Sequence, residues 1–140
     1  MAINTGKVIA GGLLAGVVLN VFDVVGNMTL FAEDNAEMLK RLNLNPAVAT
    51  DFSFAVPWIV VDFVVGLLIV FTYAGFRPRF GPGARTALIA GFALWLAVTA
   101  VLTGFTSMGV FTQSMMIKGS LFALVNTAVA SVVGAWVYSE

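Results

Sequence analysis

Residues 52–76 read FSFAVPWIVVDFVVGLLIVFTYAGF, and this stretch decides the fold. Fifteen of its residues are Leu, Ile, Val or Phe, and its one charged residue is Asp62. A helix needs about 20 consecutive apolar residues to cross the hydrocarbon core of a bilayer. A run of this length therefore predicts a helix that spans a membrane.

Three other stretches are also long and apolar enough, so the sequence predicts four membrane spans. They cover residues 8–30, 52–76, 86–105 and 119–138. The first span follows Lys7 in the manner of a signal peptide, but its apolar run exceeds the usual length of about 7 to 15 residues, so we expect it to be retained. We predict a single membrane domain over residues 1–140.

The composition agrees with this prediction and excludes several kinds of chemistry. Hydrophobic residues make up 60% of the chain and charged residues 10%, which is too little polar surface to coat a water-soluble domain. The chain has no Cys and no His, which removes disulfides, imidazole bases and the usual ligands of zinc and haem. Seven basic residues balance seven acidic ones, so no net field attracts nucleic acid. We expect no metal site, no cofactor and no nucleic acid, and we expect the lipid bilayer as the surroundings.

The basic residues of the connections predict the orientation in the membrane. Residues 77–85 carry Arg77, Arg79 and Arg85 among the Gly and Pro residues of a tight turn. Cytoplasmic loops are enriched in Lys and Arg, so this segment and Lys7 belong in the cytoplasm together with both termini. The three arginines are also predicted to contact anionic lipid headgroups. Four aromatic residues would form a belt at this inner boundary: Tyr73, Phe76, Trp136 and Tyr138.

The connection between the first two spans predicts a short helix over residues 34–42. Glu37 can pair with Lys40 and Arg41, which follow it by three and four residues, and Asn45-Pro46 ends the helix. One interpretation places this helix in the outer headgroup layer. The other makes it a lid over an opening between the spans.

Each span carries one stripe of small or polar residues at helical spacing, as the first span does with Gly12, Gly16, Asn20, Asp23 and Asn27. Small residues allow helices to approach closely, so four such stripes predict an antiparallel four-helix bundle. Eight residues form the candidate polar site inside the bilayer: Asn20, Asp23, Asn27, Asp62, Trp95, Thr99, Thr103 and Asn126.

The depths of these residues predict specific contacts. Asp23 and Asp62 differ in depth by about one helical turn, so their carboxyl groups are expected to share a hydrogen bond. One of the two should then keep its proton, because two buried like charges that close cannot both ionise. Trp95 lies near the middle of the membrane, and Asp62 is the predicted acceptor for its indole N–H.

Three interpretations of this polar layer remain open. In the first, the polar groups bridge the helices and fix their register, and the protein is a structural or accessory subunit without enzyme activity. In the second, Asp23 and Asp62 serve a small proton-linked transporter or channel, which would need dimerisation for a substrate path. In the third, the two carboxyls act as acid and base of an intramembrane aspartyl hydrolase.

The third interpretation is accompanied by a partial resemblance. Gly16, Asn20 and Asp23 in the pattern G-x-x-x-N-x-x-D, together with residues 61–63, resemble parts of lipoprotein signal peptidases, which are small four-helix membrane proteins. The chain departs from that family in having Val24 directly after Asp23, where the family has Arg. It also lacks the N-x-A-D motif of that family.

A second resemblance covers nearly the whole chain. Residues 77–83, RPRFGPG, with Thr86-Ala87 and Ala90-Gly91, are similar to the central loop of small bacterial four-helix membrane proteins of unknown function. Residues 11–20, GGLLAGVVLN, and residues 134–138, GAWVY, resemble the same group. The resemblance implies a bacterial inner-membrane protein and assigns no functional residues.

The sequence thus predicts an all-α membrane protein, an antiparallel bundle of four transmembrane helices with a short interfacial helix between the first two. Its expected partners are the lipid bilayer and either further copies of the chain or a larger membrane complex.

Overall fold

The computed structural model describes residues 3–138, and over this range the chain is helical without any strand. The helices are α1 (Thr5–Thr29), α2 (Ala32–Arg41), α3 (Val56–Phe80), α4 (Ala84–Ser107) and α5 (Gln113–Val137). Two short 3₁₀ turns, Pro46–Ala49 and Phe52–Phe54, join α2 to α3. Four of the helices are long and apolar enough to cross a membrane, as predicted. The all-α fold class is therefore confirmed.

Local signals explain where the long helices begin and end. The side chain of Asn4 caps α1 by accepting a hydrogen bond from the backbone N–H of Lys7, and Thr112 caps α5 in the same way through Met115. The helix α3 ends at Gly81, whose φ of +81° is the left-handed conformation that glycine adopts without strain. The connection from α3 to α4 covers only residues 81–83 and is shorter than the predicted turn over residues 77–85, because α3 continues through Pro78 to Phe80 and α4 begins at Ala84.

The helices α1 and α3 are in direct contact through glycine. A Cβ atom added to Gly16 would lie 2.5 Å from Phe63 Cδ1, and one added to Gly12 would lie 2.7 Å from Leu67 Cα. The register therefore pairs Gly12 with Leu67 and Gly16 with Phe63. Because the residue number rises along α1 while it falls along α3, the two helices run in opposite directions. Small residues give the close approach that membrane helices need for van der Waals contact.

The helix α5 also packs against α1 and runs in the opposite direction to it. Gly11 lies against the carbonyl group of Gly134 near one end, and Gly26 lies against the ring of Phe122 near the other. The helix α4 packs on α3 and α5 rather than on α1. The four long helices therefore form one bundle.

The core of the bundle lies at one end. This closed end contains the α3–α4 turn and the two ends of the described chain, and Ile69 and Val70 are completely buried there. Along α3 no residue before Gly66 is buried, and along α4 none after Gly91 is. We call the opposite half, where α2 and the α4–α5 turn lie, the open end, because the helices there have partly exposed inner faces.

Two tyrosines tie the closed end together. The rings of Tyr73 and Tyr138 pack edge to face with their centres 6.0 Å apart, and both are buried. Tyr73 Oη accepts a hydrogen bond from the backbone N–H of Gly83, and Tyr138 Oη accepts one from the backbone N–H of Asn4, each at 3.1 Å. Neither ring can belong to the predicted aromatic belt, whereas Trp136 is 78% exposed.

The helix predicted over residues 34–42 is present as α2, and it is bound to the open end of the bundle. Asp34 forms an ion pair with Lys118 Nζ at 2.5 Å. The guanidinium group of Arg41 donates to the backbone carbonyls of Gly109 and Val110 in the α4–α5 turn, instead of pairing with Glu37 as predicted. The helix α2 therefore links α1, α5 and the α4–α5 turn.

Candidate functional site

Asp23 and Asn126 form the one side-chain pair that joins two long helices within the predicted polar layer, as far as residues 3–138 show. Asn126 Nδ2 on α5 donates to Asp23 Oδ1 on α1 at 2.9 Å. Asn126 is 5% exposed and Asp23 is partly buried. The pair lies at the open end, beyond the buried core, and it crosses the α1–α5 interface.

Asp62 lies on the inner face of α3. It precedes the completely buried Ile69 by about two helical turns, which puts both residues on the same face. Asp62 is only partly buried because the bundle is open at its level, and its carboxyl group has no hydrogen bond to any residue that the structure describes. The predicted inward direction of this carboxyl group agrees with its place on the helix.

The predicted hydrogen bond between Asp23 and Asp62 does not form. Because Gly16 packs against Phe63, Asp62 lies level with Val17, which is about 9 Å along α1 from Asp23 at 1.5 Å per residue. The depth estimate was wrong because it used the ends of the spans, whereas the glycine contacts set the register.

The predicted contact between Trp95 and Asp62 is also wrong. Trp95 Nε1 donates instead to the backbone carbonyl of Ser120 at 2.8 Å, across the interface between α4 and α5. The indole N–H thus reaches α5, the helix on which α4 packs most extensively. A carbonyl near the beginning of α5 thus supplies the partner that lipid cannot.

The two asparagines of α1, Asn20 and Asn27, have different hydrogen-bond partners. Asn20 Nδ2 donates to the carbonyl of Gly16 at 2.9 Å and to that of Ile59 at 3.4 Å, so it bridges α1 and α3. Asn27 is exposed; it donates to the backbone carbonyl of Asp23 and accepts a hydrogen bond from Asn35 of α2. The predicted stripe on α1 therefore divides between α3, α5 and α2.

Contrary to the prediction, Thr99 and Thr103 of α4 form no side-chain hydrogen bond to a neighbouring helix among the described residues. Thr103 is exposed, and its hydroxyl group donates to the carbonyl of Thr99 in its own helix at 2.8 Å. Residues four apart rotate by about 40° per step on a helix of 3.6 residues per turn, so Thr103 lies about 120° away from the buried Gly91. The predicted stripe on α4 is therefore wrong at Thr103, because a four-residue spacing drifts off one helix face over three steps.

The three arginines that flank the α3–α4 turn are not equivalent. Arg77 is partly buried, with its guanidinium carbon 5.9 Å from the ring centre of Tyr73 and 5.4 Å from that of Tyr138. Arg79 and Arg85 are exposed. The sequence analysis missed this cation–π cluster, although the four-residue spacing of Tyr73 and Arg77 on a helix was a signal for it.

An open groove of about 440 Å³ runs along the outer surface between α1 and α3. Val17, Val21 and Ile59 are among its lining residues, and Asn20 is the single polar one. Neither Asp23 nor Asp62 lines it. This groove is therefore an apolar surface feature of the α1–α3 pair.

The arrangement offers limited chemistry. Residues 3–138 contain no group of three or more Asp or Glu side chains that could hold a metal ion. What they do contain is one carboxyl–amide pair and one inward carboxyl group at the open end. The fold and these groups define an all-α, multi-pass membrane protein. No family model, no curated protein and no solved structure matches the chain.

Proposed function

We propose that this protein is a structural or accessory subunit of a bacterial inner-membrane assembly, with both termini in the cytoplasm and without enzyme activity. The distribution of basic residues supports the orientation. The closed end has four basic residues, Lys7 and the three arginines that flank the α3–α4 turn. The open end has three, Lys40, Arg41 and Lys118, of which Arg41 bonds to the α4–α5 turn and Lys118 pairs with Asp34. The short helix α2 then lies in the outer headgroup layer.

The observation that carries the proposal is the partly exposed carboxyl group of Asp62 on the inner face of an open bundle. A carboxyl group at this depth should face protein or water, because contact with acyl chains is unfavourable by about 2.5 to 3.5 kcal/mol on insertion scales. The chain itself closes the bundle only around Gly66 and beyond. A partner helix, from a second copy or from another subunit, would complete the open end and cover Asp62.

Gentle detergent extraction followed by native mass spectrometry tests this proposal. We expect a homo-oligomer or a co-purifying subunit with the wild type. Asp62→Leu should reduce the assembled fraction, because it removes the polar group that the partner covers. Val64→Leu is the matched control, since Val64 lies on α3, is 48% exposed and faces away from the interior. A monomer without any bound subunit, across mild detergents and added lipid, would contradict the proposal.

A small proton-linked transporter or channel is the second candidate, favoured by the absence of a described hydrogen-bond partner for Asp62. A carboxyl group that is inward, partly exposed and not bonded is available to exchange a proton. Reconstitution into liposomes with a pH-sensitive dye tests this candidate. It requires a proton flux that Asp62→Asn abolishes while assembly in native mass spectrometry is unchanged.

The aspartyl hydrolase is not supported by the geometry. Two aspartates that act on one water must both reach it, whereas the register offsets Asp23 from Asp62 by about 9 Å along the helix axis. Asp23 is also already bonded to Asn126.

A further inference from the structure

The pair formed by Asp23 and Asn126 leaves one buried polar atom without a partner. Asn126 Nδ2 donates to Asp23, but Oδ1 of the same amide is fully buried and accepts no hydrogen bond in the described part of the chain. Asn126 itself is 5% exposed. A buried acceptor left unsatisfied costs about 1 to 3 kcal/mol, so this position requires a donor.

No donor of the described residues bonds to this atom, and no charged side chain is placed to do so. The one charged residue of α5 is Lys118, and its amine is bound to Asp34 at the membrane surface. The helix α3 brings only Asp62 to this half of the bundle, and that residue is a second acid. The other charged residues of α2 are all exposed: Glu33, Glu37, Lys40 and Arg41. The remaining charged residues of the four long helices lie at the closed end: Lys7, Arg77, Arg79 and Arg85.

We propose that Asp23 binds a proton, and that the neutral carboxyl group and the Asn126 amide form a closed two-bond pair. In this pair Asn126 Nδ2 donates to one carboxyl oxygen of Asp23, and the hydroxyl of Asp23 donates to Asn126 Oδ1. The proton adds to the carboxylate and no other bond changes. The buried Oδ1 of Asn126 then has a donor, and no net charge lies between α1 and α5.

The pair makes the α1–α5 interface a proton-binding site, whether or not the chain assembles with a partner. Loss of the proton would leave a negative charge beside the unpaired Asn126 Oδ1. The hydrogen bond from the Asp23 hydroxyl to Asn126 Oδ1 would be lost, and the interface would no longer be neutral. The contact between α1 and α5 should therefore weaken as the pH rises.

Infrared spectroscopy of the full chain in lipid nanodiscs at neutral pH tests the proposal, because a protonated carboxyl group has its own carbonyl stretch. We expect this band in the wild type and in Asp62→Asn, and we expect Asp23→Asn to remove it. No acid band in the wild type would overturn the proposal. Loss of the band in Asp62→Asn, alone or together with Asp23→Asn, would also overturn it, because the proton would then belong to Asp62 or be shared.

A second variant tests the amide and does not depend on Asp23→Asn being foldable. Asn126→Leu removes the N–H donor, so the acid band of Asp23 should move to the higher frequency of a carbonyl without a hydrogen bond. Asn20→Leu is the control, because Asn20 bonds only to backbone carbonyls of α1 and α3, and it should leave the band in place. A band that does not move in Asn126→Leu would refute the closed pair.

Discussion

Gly66→Ala should destabilise the bundle through a single methyl group. A Cβ atom at Gly66 would lie 2.5 Å from the backbone nitrogen of Gly16 and 2.9 Å from its Cα, and it would overlap the carbonyl oxygen of Gly12. All three atoms are backbone, so no side chain can rotate away. Ordinary contact begins at 3.4 Å, so α1 and α3 must separate by 0.9 Å at Gly16. Such overpacking typically costs about 1 to 3 kcal/mol.

The matched control for this change is Gly75→Ala in the same helix. Gly75 is exposed, and a Cβ atom there meets no other atom within 4 Å. Alanine is the better helix former by about 1 kcal/mol, so this control should be neutral or slightly stabilising. Unfolding in mixed micelles with increasing SDS gives both free energies. If Gly66→Ala unfolds at the same SDS fraction as Gly75→Ala, then the close contact between α1 and α3 is not what sets the register.

Three further substitutions test contacts elsewhere in the chain. Trp95→Phe removes the donor to the Ser120 carbonyl and should lower the unfolding free energy in the same titration by about 0.6 kcal/mol, the average for membrane helices; an unchanged midpoint would contradict this. Lys118→Ala removes the exposed ion pair with Asp34, so thermal unfolding should show a loss of at most about 1 kcal/mol that shrinks in high salt, and a loss that salt leaves unchanged would refute it. Hydrogen bonds from Ser53 lower the pKa of the Asp51 carboxyl group. The stability that this carboxylate contributes is therefore present above the ordinary pKa of an aspartate and is lost as the pH falls through the lowered pKa. Asp51→Asn should remove this acid-side dependence from melting curves, and identical pH profiles would refute the argument.

The helices could be predicted from sequence because length and hydropathy alone determine them. The predicted span over residues 86–105 lies within Ala84–Ser107, and the turn between α3 and α4 follows from its glycines and prolines. These signals are local, and each acts within one helix or one turn. No knowledge of a neighbouring helix is needed to interpret them.

The partners of the polar side chains could not be predicted, because they depend on the register between helices. The contact between Gly16 and Phe63 sets the level of Asp62 on α1, and a sequence pattern does not show which residue a glycine meets. The prediction that Tyr73 lies at the membrane boundary is wrong for a similar reason, because it also depends on a partner that the sequence pattern does not show. Its place near a span end predicts a belt, but its hydrogen bond to Gly83 holds the ring inside the bundle.

The same register explains why the polar groups and the open end occur together. Glycine, alanine and serine residues bring the helices close at the closed end, and Ile69, Val70 and the two tyrosines fill the buried core beside them. Toward the open end α3 and α4 have no buried residues, and Phe63, Trp95 and Phe122 are only partly buried. The carboxyl groups and the amide in this half of the bundle need partners that apolar side chains cannot provide. The position of Asp62 before the buried part of α3, rather than its charge alone, is therefore the basis for proposing a partner helix or a proton path.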